Sequence, residues 1–568
     1  MLDRVIDATS LLLLLSVILT FIKRPRALKR PPLIRDPWWI GLLALFVLLA
    51  LSVPEAMPVH DHNAYLQRSD CARELSTCRV ATWSQPTIRL YGRVLSLLPP
   101  HTQVLGYVSL AFTLLSIVLM GAFLQRLLEQ RFDRADARLA AWLAAALCVL
   151  HPAFLRMSVA ATFYPYTMSM LWAAGWFTLE AIERRSAAPT WAAFGFLALA
   201  ASGNLVQLVW LPLFILAPLC WRKEGLASVS ARSWQLFTLG ALVFVCWLSP
   251  HLMAAYRETF GHEGVGIGRD LTTSLTNLLY WDARTTTLVP RLLFAGGLVY
   301  SAISLVARRW FLLPLLYAFF ATELFFGAQV DLWTGYPTRF IHGFVSLYFS
   351  AILAALGALW PLERVAVGQR RKLVAAVALV VLVSTPTAPA SFTFLREERM
   401  LNRELRAISA AIEHLPRHDV LVLPPRIMGF LADGITGSDP VEVAFPRGEY
   451  SRRLARRQTV APRFWDLTRL LDGERRISEG EEVLVYVGSP LKSFVSGEIE
   501  GGFVPDDLER PLLTDLRKRF KLEPVYLFAI STEDNQAVAA RLGAGLVDTV
   551  ELGFYRLDAS RSSPRPTQ

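Results

Sequence analysis

A chain of 568 residues with 54% hydrophobic and 18% charged content and a mean hydropathy of +0.39 is too apolar for an ordinary soluble protein. The formal net charge of +11 does not indicate nucleic-acid binding, because Lys and Arg gather in short tracts between hydrophobic runs without the aromatic interleaving of a nucleic-acid groove. These properties point to a polytopic α-helical membrane protein.

A hydrocarbon core about 30 Å thick takes roughly 20 apolar residues per helix, and about twelve such runs are read along the first two thirds of the chain. The first, Val5 to Ile22, is followed by Lys23, Arg24, Arg26, Lys29, Arg30 and Arg35, which places its C-terminal end in the cytoplasm and the N terminus outside. The basic residues follow the apolar run and no small-residue cleavage site appears, so the segment is expected to be retained and not removed as a signal peptide. Further spans are expected near 37–54, 104–125, 139–155, 164–182, 189–203, 204–221, 233–251, 288–307, 310–327, 342–360 and 373–390. Their basic connectors alternate in step: Arg126 to Arg138, Arg184 and Arg185, Arg222 and Lys223, Arg308 and Arg309, and Arg364 to Lys372 all fall on the side of the first tract. Gly203 and Asn204 must turn the chain between two short helices.

In this topology the loops 55–103, 156–163, 252–287 and 328–341 are extracytoplasmic, as is everything after Ala390. Cys71 and Cys78 share the first loop, where an oxidising compartment permits a disulfide; two free thiols are the alternative. Cys148, Cys220 and Cys246 lie in or beside apolar spans and read as buried packing residues. Asp7, Glu180 and Glu323 sit near span ends and are expected at the interface, and the Trp residues, among them Trp38, Trp39, Trp333 and Trp360, are read mostly as interface markers.

After Pro386 and Pro389 the pattern changes. Strand-like runs at Val420 to Leu423, Val483 to Val487, Val525 to Ile530 and Val550 to Leu557 alternate with helical stretches near Phe464 to Leu471, Asp507 to Phe520 and Asn535 to Leu542. Residues 391–559 therefore read as an α/β layer domain that admits a small parallel sheet, and 560–568 as a disordered tail. No Gly-rich phosphate loop opens any of its helices.

Chemistry concentrates in the loop 55–103. Pro54 and Pro58 precede His60, Asp61, His62 and Asn63, then Tyr65, then a polar stretch and the amphipathic run Tyr91 to Leu98. A carboxylate between imidazoles at the mouth of a helical bundle can take a proton, hold a metal or orient a hydroxyl. In the last outer loop, Arg339 and Phe340 stand just before a late span, with His342 following. A guanidinium at the membrane surface can hold a lipid phosphate through two parallel hydrogen bonds. The segment Pro152 to Pro165 adds a Pro, Arg156 and the aromatic residues Tyr164 and Tyr166.

Over residues 1–390 this arrangement resembles the GT-C superfold of membrane glycosyltransferases, which use polyprenyl-phosphate-linked sugars and include mannosyl- and arabinosyltransferases. In that superfold the first outer loop opens on an acidic motif. Asp61 matches it, Tyr65 stands where an aromatic is common, and His62 occupies the second acidic position. The resemblance implies that an acceptor hydroxyl attacks the anomeric carbon with inversion while the lipid phosphate departs, through an oxocarbenium-like transition state. Asp61 or His62 would be the base; a His near pKa 6.5 suits neutral pH better than an Asp near 4. Arg339 would neutralise the departing phosphate, with His342 and Arg269 as second contributors.

Each residue also has a plainer role. Asp61 can cap its loop as an Asx turn, His60 and His62 can be solvated, and Arg339 can anchor to lipid headgroups. His60, Asp61 and His62 could contribute to a divalent-cation site, for which His262 and Glu263 are candidate partners. Two rival functions follow: a transporter or flippase of a lipid-linked substrate, which the scarcity of mid-span charges disfavours, and a catalytically silent GT-C-like scaffold for cell-envelope assembly. The leading expectation is a bacterial-type inner-membrane glycosyltransferase with an extracytoplasmic acceptor.

Overall fold

The computed structural model describes residues 12, 15, 18, 19, 36–52, 102–159, 164–203, 210, 231, 234–246, 288–307, 310–330, 338–364, 368–382, 411, 414–423, 463–471, 477, 478, 480–487, 516–531 and 549–558. The chain divides into two compact units, with the last crossing between them at Ser391 and Phe392.

The first unit is helical. Its described helices are α1 (Pro37–Ser52), α2 (Thr102–Leu128), α3 (Arg134–Val149), α4 (Pro152–Val159), α5 (Tyr164–Arg184), α6 (Ala187–Gly203), α7 (Leu288–Val306), α8 (Leu313–Val330) and α9 (Thr338–Arg364), of which Thr338 and Arg339 group with the second unit, with further helical residues at 234–246 and 369–382. Among the described residues one helical stretch, Gly106–Leu128, is long and apolar enough by itself to cross a membrane; the count of about twelve spans reaches beyond the described residues. The run expected as one span over 139–155 is two helices, broken at Leu150 and His151, with Pro152 opening the second. Proline is well tolerated in a first helical turn, where its missing N–H would have had no intrahelical partner.

Side-chain contacts set the sense of the helices. Trp38 meets Trp142 edge-on at 6.4 Å and Phe46 meets Phe154 at 6.1 Å, so α1 runs parallel to the α3–α4 pair. Phe344 stacks on Phe154 at 5.0 Å, and Cys148 Sγ lies 3.8 Å from the Leu347 carbonyl, so α9 runs against them. Phe112 with Tyr166 and Phe123 with Trp172 make α2 and α5 parallel. Helix α2 passes from Ser116, which hydrogen-bonds Tyr348 at 2.5 Å, to Gly121, which abuts the Trp39 ring; it therefore runs opposite to α1.

The ion pairs of these helices gather at one end. Arg138 reaches Asp36 at 3.2 Å, Lys372 reaches Asp136 at 2.7 Å, and Arg126 joins Glu180 and Glu183 while lying over the Trp176 ring. Glu180, expected at the interface, is 1% exposed, and Arg184 approaches its second oxygen at 2.6 Å. A carboxylate at a span end can be buried when two guanidiniums share it. Trp39 is likewise 1% exposed, whereas its neighbour Trp38 is 52% exposed. Cys148 is buried, but Cys246 is exposed at the end of an apolar helical stretch. Lipid-facing and core-facing positions are equally apolar, so composition alone does not separate them.

The second unit contains a mixed five-stranded sheet in the order β2-β1-β3-β5-β4. Strands β1 (Val420–Leu423), β2 (Arg463–Asp466) and β3 (Val483–Val487) are parallel, and β4 (Lys521–Ser531) and β5 (Thr549–Asp558) complete it antiparallel. The sheet is therefore not wholly parallel. The stretch 464–471, expected to be helical, begins as β2 and becomes the short helix α10 (Leu467–Leu471). β3 reads Val-Leu-Val-Tyr-Val and is buried at all five positions, as a central strand covered on both faces should be. Val420, Val422, Val483 and Val485 share one core with Leu470, Leu471, Leu516 and Leu557.

Candidate functional site

Three elements that lead into the candidate loops are fastened to one aromatic cluster. Phe154 of α4 touches Phe46 of α1 and both Phe344 and Tyr348 of α9. Tyr348 in turn lies 6.0 Å from Trp172, and Trp172 and Trp210 flank Phe349 at 5.5 and 4.7 Å. Phe46, Phe154, Phe344, Tyr348 and Phe349 are all buried. Ring pairs of this kind add roughly 0.5–1.5 kcal/mol each beyond their area burial. The hydroxyls inside the cluster are satisfied locally: Ser116 and Tyr348 bond each other, and the Ser116 hydroxyl also lies 2.8 Å from the Thr113 carbonyl.

The cluster sets where the loops leave the bundle. With helix senses as described, the C-terminal ends of α1 and α4 and the N-terminal ends of α2, α5 and α9 lie at the end opposite the ion pairs. Ser52 follows Phe46 by six residues and Arg339 precedes Phe344 by five, which at 1.5 Å per residue is about 9 and 7.5 Å along the helix axes. The approach to the first loop and the first turn of α9 thus emerge on the same side of one packed cluster.

Of the predicted site residues, Arg339 and His342 belong to α9, three residues apart in its first turns, and Arg156 belongs to α4. Asp61, His62, His60, Tyr65 and Arg269 lie outside the described residues, as do Cys71, Cys78, His262 and the tail 560–568. The first turn of a helix presents unpaired backbone N–H groups and a partial positive charge, both of which favour an anion. Among the described residues no group of three His, Cys, Asp or Glu side chains is arranged to hold a metal.

The aromatic cluster was not among the residues singled out for chemistry. Its trace in the sequence is the spacing of Phe344 and Tyr348, four apart on one helical face, and a Phe two residues past the proline that opens α4. Neither signal identifies the partner helix.

No family model and no curated protein matches the chain. Solved structures do. ArnT from Cupriavidus metallidurans in the apo state aligns over 93% of this chain and 99% of its own, at 12% identity and a TM-score of 0.50. The same protein bound to undecaprenyl phosphate aligns over the same shares at a TM-score of 0.48. The archaeal oligosaccharyltransferase AglB from Archaeoglobus fulgidus, in complex with an inhibitory peptide and a dolichol-phosphate, aligns over 86% of this chain and 73% of its own, at 13% identity and a TM-score of 0.44. The chain therefore has the fold seen in ArnT.

Proposed function

We propose that this chain is a membrane glycosyltransferase that moves a sugar from a polyprenyl-phosphate donor to an extracytoplasmic acceptor, with inversion at the anomeric carbon. The observation that carries this reading is the alignment with almost the full length of ArnT. The helix senses support it, since α1, the helix before the loop of Asp61, ends and α9, the helix of Arg339, begins at one end of the bundle. In this reading that end faces away from the cytoplasm of an inner membrane. About twelve spans cross the membrane, and residues 391–559 form an extracytoplasmic domain.

The chemistry divides between two loops. Asp61 or His62 accepts the proton of the acceptor hydroxyl as its oxygen attacks the anomeric carbon. The bond from that carbon to the phosphate oxygen breaks, and Arg339 neutralises the charge left on the lipid phosphate. His342 and Arg269 assist in holding the phosphate, and Tyr65 lines the sugar.

Purified protein assayed with a panel of polyprenyl-phosphate sugars tests the proposal. Asp61→Asn and His62→Ala are compared with the wild type, and Arg339→Ala is expected to lower turnover by about 100-fold, as does the loss of one charge-stabilising donor elsewhere. Unchanged turnover in both first-loop variants would remove that loop from the mechanism. A chain that turns over no donor in the panel overturns the enzymatic reading.

A further inference from the structure

Tyr348 of α9 is wholly buried, and its ring meets Phe154 of α4 at 5.1 Å and Trp172 of α5 at 6.0 Å. Its hydroxyl lies 2.5 Å from that of Ser116 on α2, so three other helices converge on this one side chain. We propose that Tyr348 is a positioning residue: its hydrogen bond to Ser116 fixes the rotation of α9 and so aims the first turns of that helix at the phosphate of a polyprenyl phosphate. This step rests on the proposed transfer, which assigns the lipid phosphate to those turns.

Burial and dispersion hold α9 in the bundle without setting its rotation, because both are non-directional and lipid tails are as apolar as the helix faces. A hydrogen bond is directional. A slip of one residue would turn every side chain of α9 by about 100° and carry the Tyr348 hydroxyl away from Ser116. The Ser116 hydroxyl has one proton and donates it to the Thr113 carbonyl at 2.8 Å, so Tyr348 is the donor in the bond between them. Thr113 in turn donates to the Ser109 carbonyl at 2.9 Å, which ties the series to the backbone of α2. On the adjoining residue of α9, the Leu347 carbonyl accepts from the Cys148 thiol of α3 at 3.8 Å. Two neighbouring points of α9 are thus held to two different helices by polar contacts. His342 precedes Tyr348 by six residues, about 9 Å along the axis, a span over which one helix transmits its orientation. A residue that only filled the core would need the ring and not the hydroxyl, since phenylalanine packs equally well among Phe154, Phe344 and Trp172.

Tyr348→Phe keeps the ring and leaves Ser116 bonded to Thr113, so no buried donor is orphaned. Its thermal midpoint in detergent should stay within about 3 °C of the wild type. The full chain in micelles would be titrated with undecaprenyl phosphate. Tyr348→Phe and Ser116→Ala should each weaken binding about fivefold, the size of one ordinary hydrogen bond. The double variant should be no weaker than either single one, because both remove the same bond. Ser116→Thr, which keeps the hydroxyl, should bind like the wild type. Wild-type affinity in Tyr348→Phe, or losses that multiply in the double variant, would overturn the proposal. If the wild type binds no undecaprenyl phosphate, the transfer reading falls on its own account, and amide hydrogen exchange over residues 340–348 still decides the role of the bond. Exchange there about fivefold faster in Tyr348→Phe, with α5 unchanged, would show that the hydroxyl holds the start of α9. Equal exchange in the two proteins would show that it does not.

Discussion

Asp136 lies in the first turn of α3 with its carboxylate enclosed, and Lys372 reaches both of its oxygens, at 2.7 and 2.9 Å, from a helical segment more than 200 positions along the chain. Gln369 adds a third donor at 3.2 Å. Both charged side chains are about nine-tenths buried, so their value to the fold lies mainly in neither being left alone. Removing one partner of such a pair typically costs about 3–5 kcal/mol, whereas replacing both with apolar residues is often close to neutral. Lys372→Met should therefore lower the thermal unfolding midpoint in detergent sharply, and adding Asp136→Leu should restore most of the loss. Restoration that fails entirely would show that Asp136 acts chiefly elsewhere, for instance on the N-terminal turn of α3. In the second unit His418 is 3% exposed, with Nδ1 2.9 Å from the Pro416 carbonyl. Burial lowers its pKa, against the opposing pull of that carbonyl and of Asp419 and Glu482. The unfolded chain, with an ordinary value near 6.5, therefore takes up the proton first. Stability should decline as pH falls below about 6.5 and level off below the depressed folded pKa. Urea unfolding of the full chain, followed by a probe in the sheet at pH 7 and pH 5, should show this decline reduced in His418→Asn; an equal decline in both proteins would exclude His418 as its source.

At the scale of elements, α7 and α9 cross where Gly297 meets the Leu353 backbone and Gly357 meets the Leu293 carbonyl. A Cβ at either glycine would strike main-chain atoms of the other helix, which cannot rotate away. Gly297→Leu should cost at least about 2 kcal/mol, within or above the usual penalty for overpacking. Gly41→Ala on α1 faces open space and should be neutral or stabilising by up to about 1 kcal/mol through helix propensity. Differential scanning of the two variants in one detergent checks the contrast, and comparable losses would mean that the crossing is looser than its geometry. Much of the helical pattern was legible because long apolar runs admit little else, and the α/β alternation after Pro389 was legible from short valine-rich runs. β2 was misread because Phe464 to Leu471 carries apolar residues at helical spacing; pairing with β1 overrides that local preference. The Gly297–Gly357 crossing and the Phe154 cluster were not legible. Each depends on which helix lies opposite, and an apolar face in a bundle does not encode its partner by composition. The sequence drew attention to Asp61, His62 and Arg339 through chemistry and loop position, and those features do not specify side-chain geometry.

For the whole molecule, the arrangement of charge along the bundle predicts how it sits in the membrane. Arg126, Arg134 and Arg138 with Asp36, Asp136, Glu180, Arg184 and Lys372 cluster at the end reached by the basic connectors, and such connectors are retained in the cytoplasm. In the proposed orientation the opposite end, where α1 and α4 finish and α9 begins, faces outward, and the second unit is extracytoplasmic. Two exposed arginines report on the two sides. Arg134 is 68% exposed at the start of α3, and Arg417 is exposed just before β1. In intact cells, with the native cysteines Cys71, Cys78 and Cys246 replaced by serine, Arg417→Cys should react with a membrane-impermeant maleimide. Arg134→Cys should react only after permeabilisation. The reverse pattern would invert the bundle, place Asp61 and Arg339 in the cytoplasm, and remove the outward-facing donor site on which the proposed transfer depends. Labelling of both from outside would break the link between the arginine-rich end and the cytoplasm. The expected pattern would place the ion-paired end inside and the sheet-containing unit outside, on the side of the proposed acceptor.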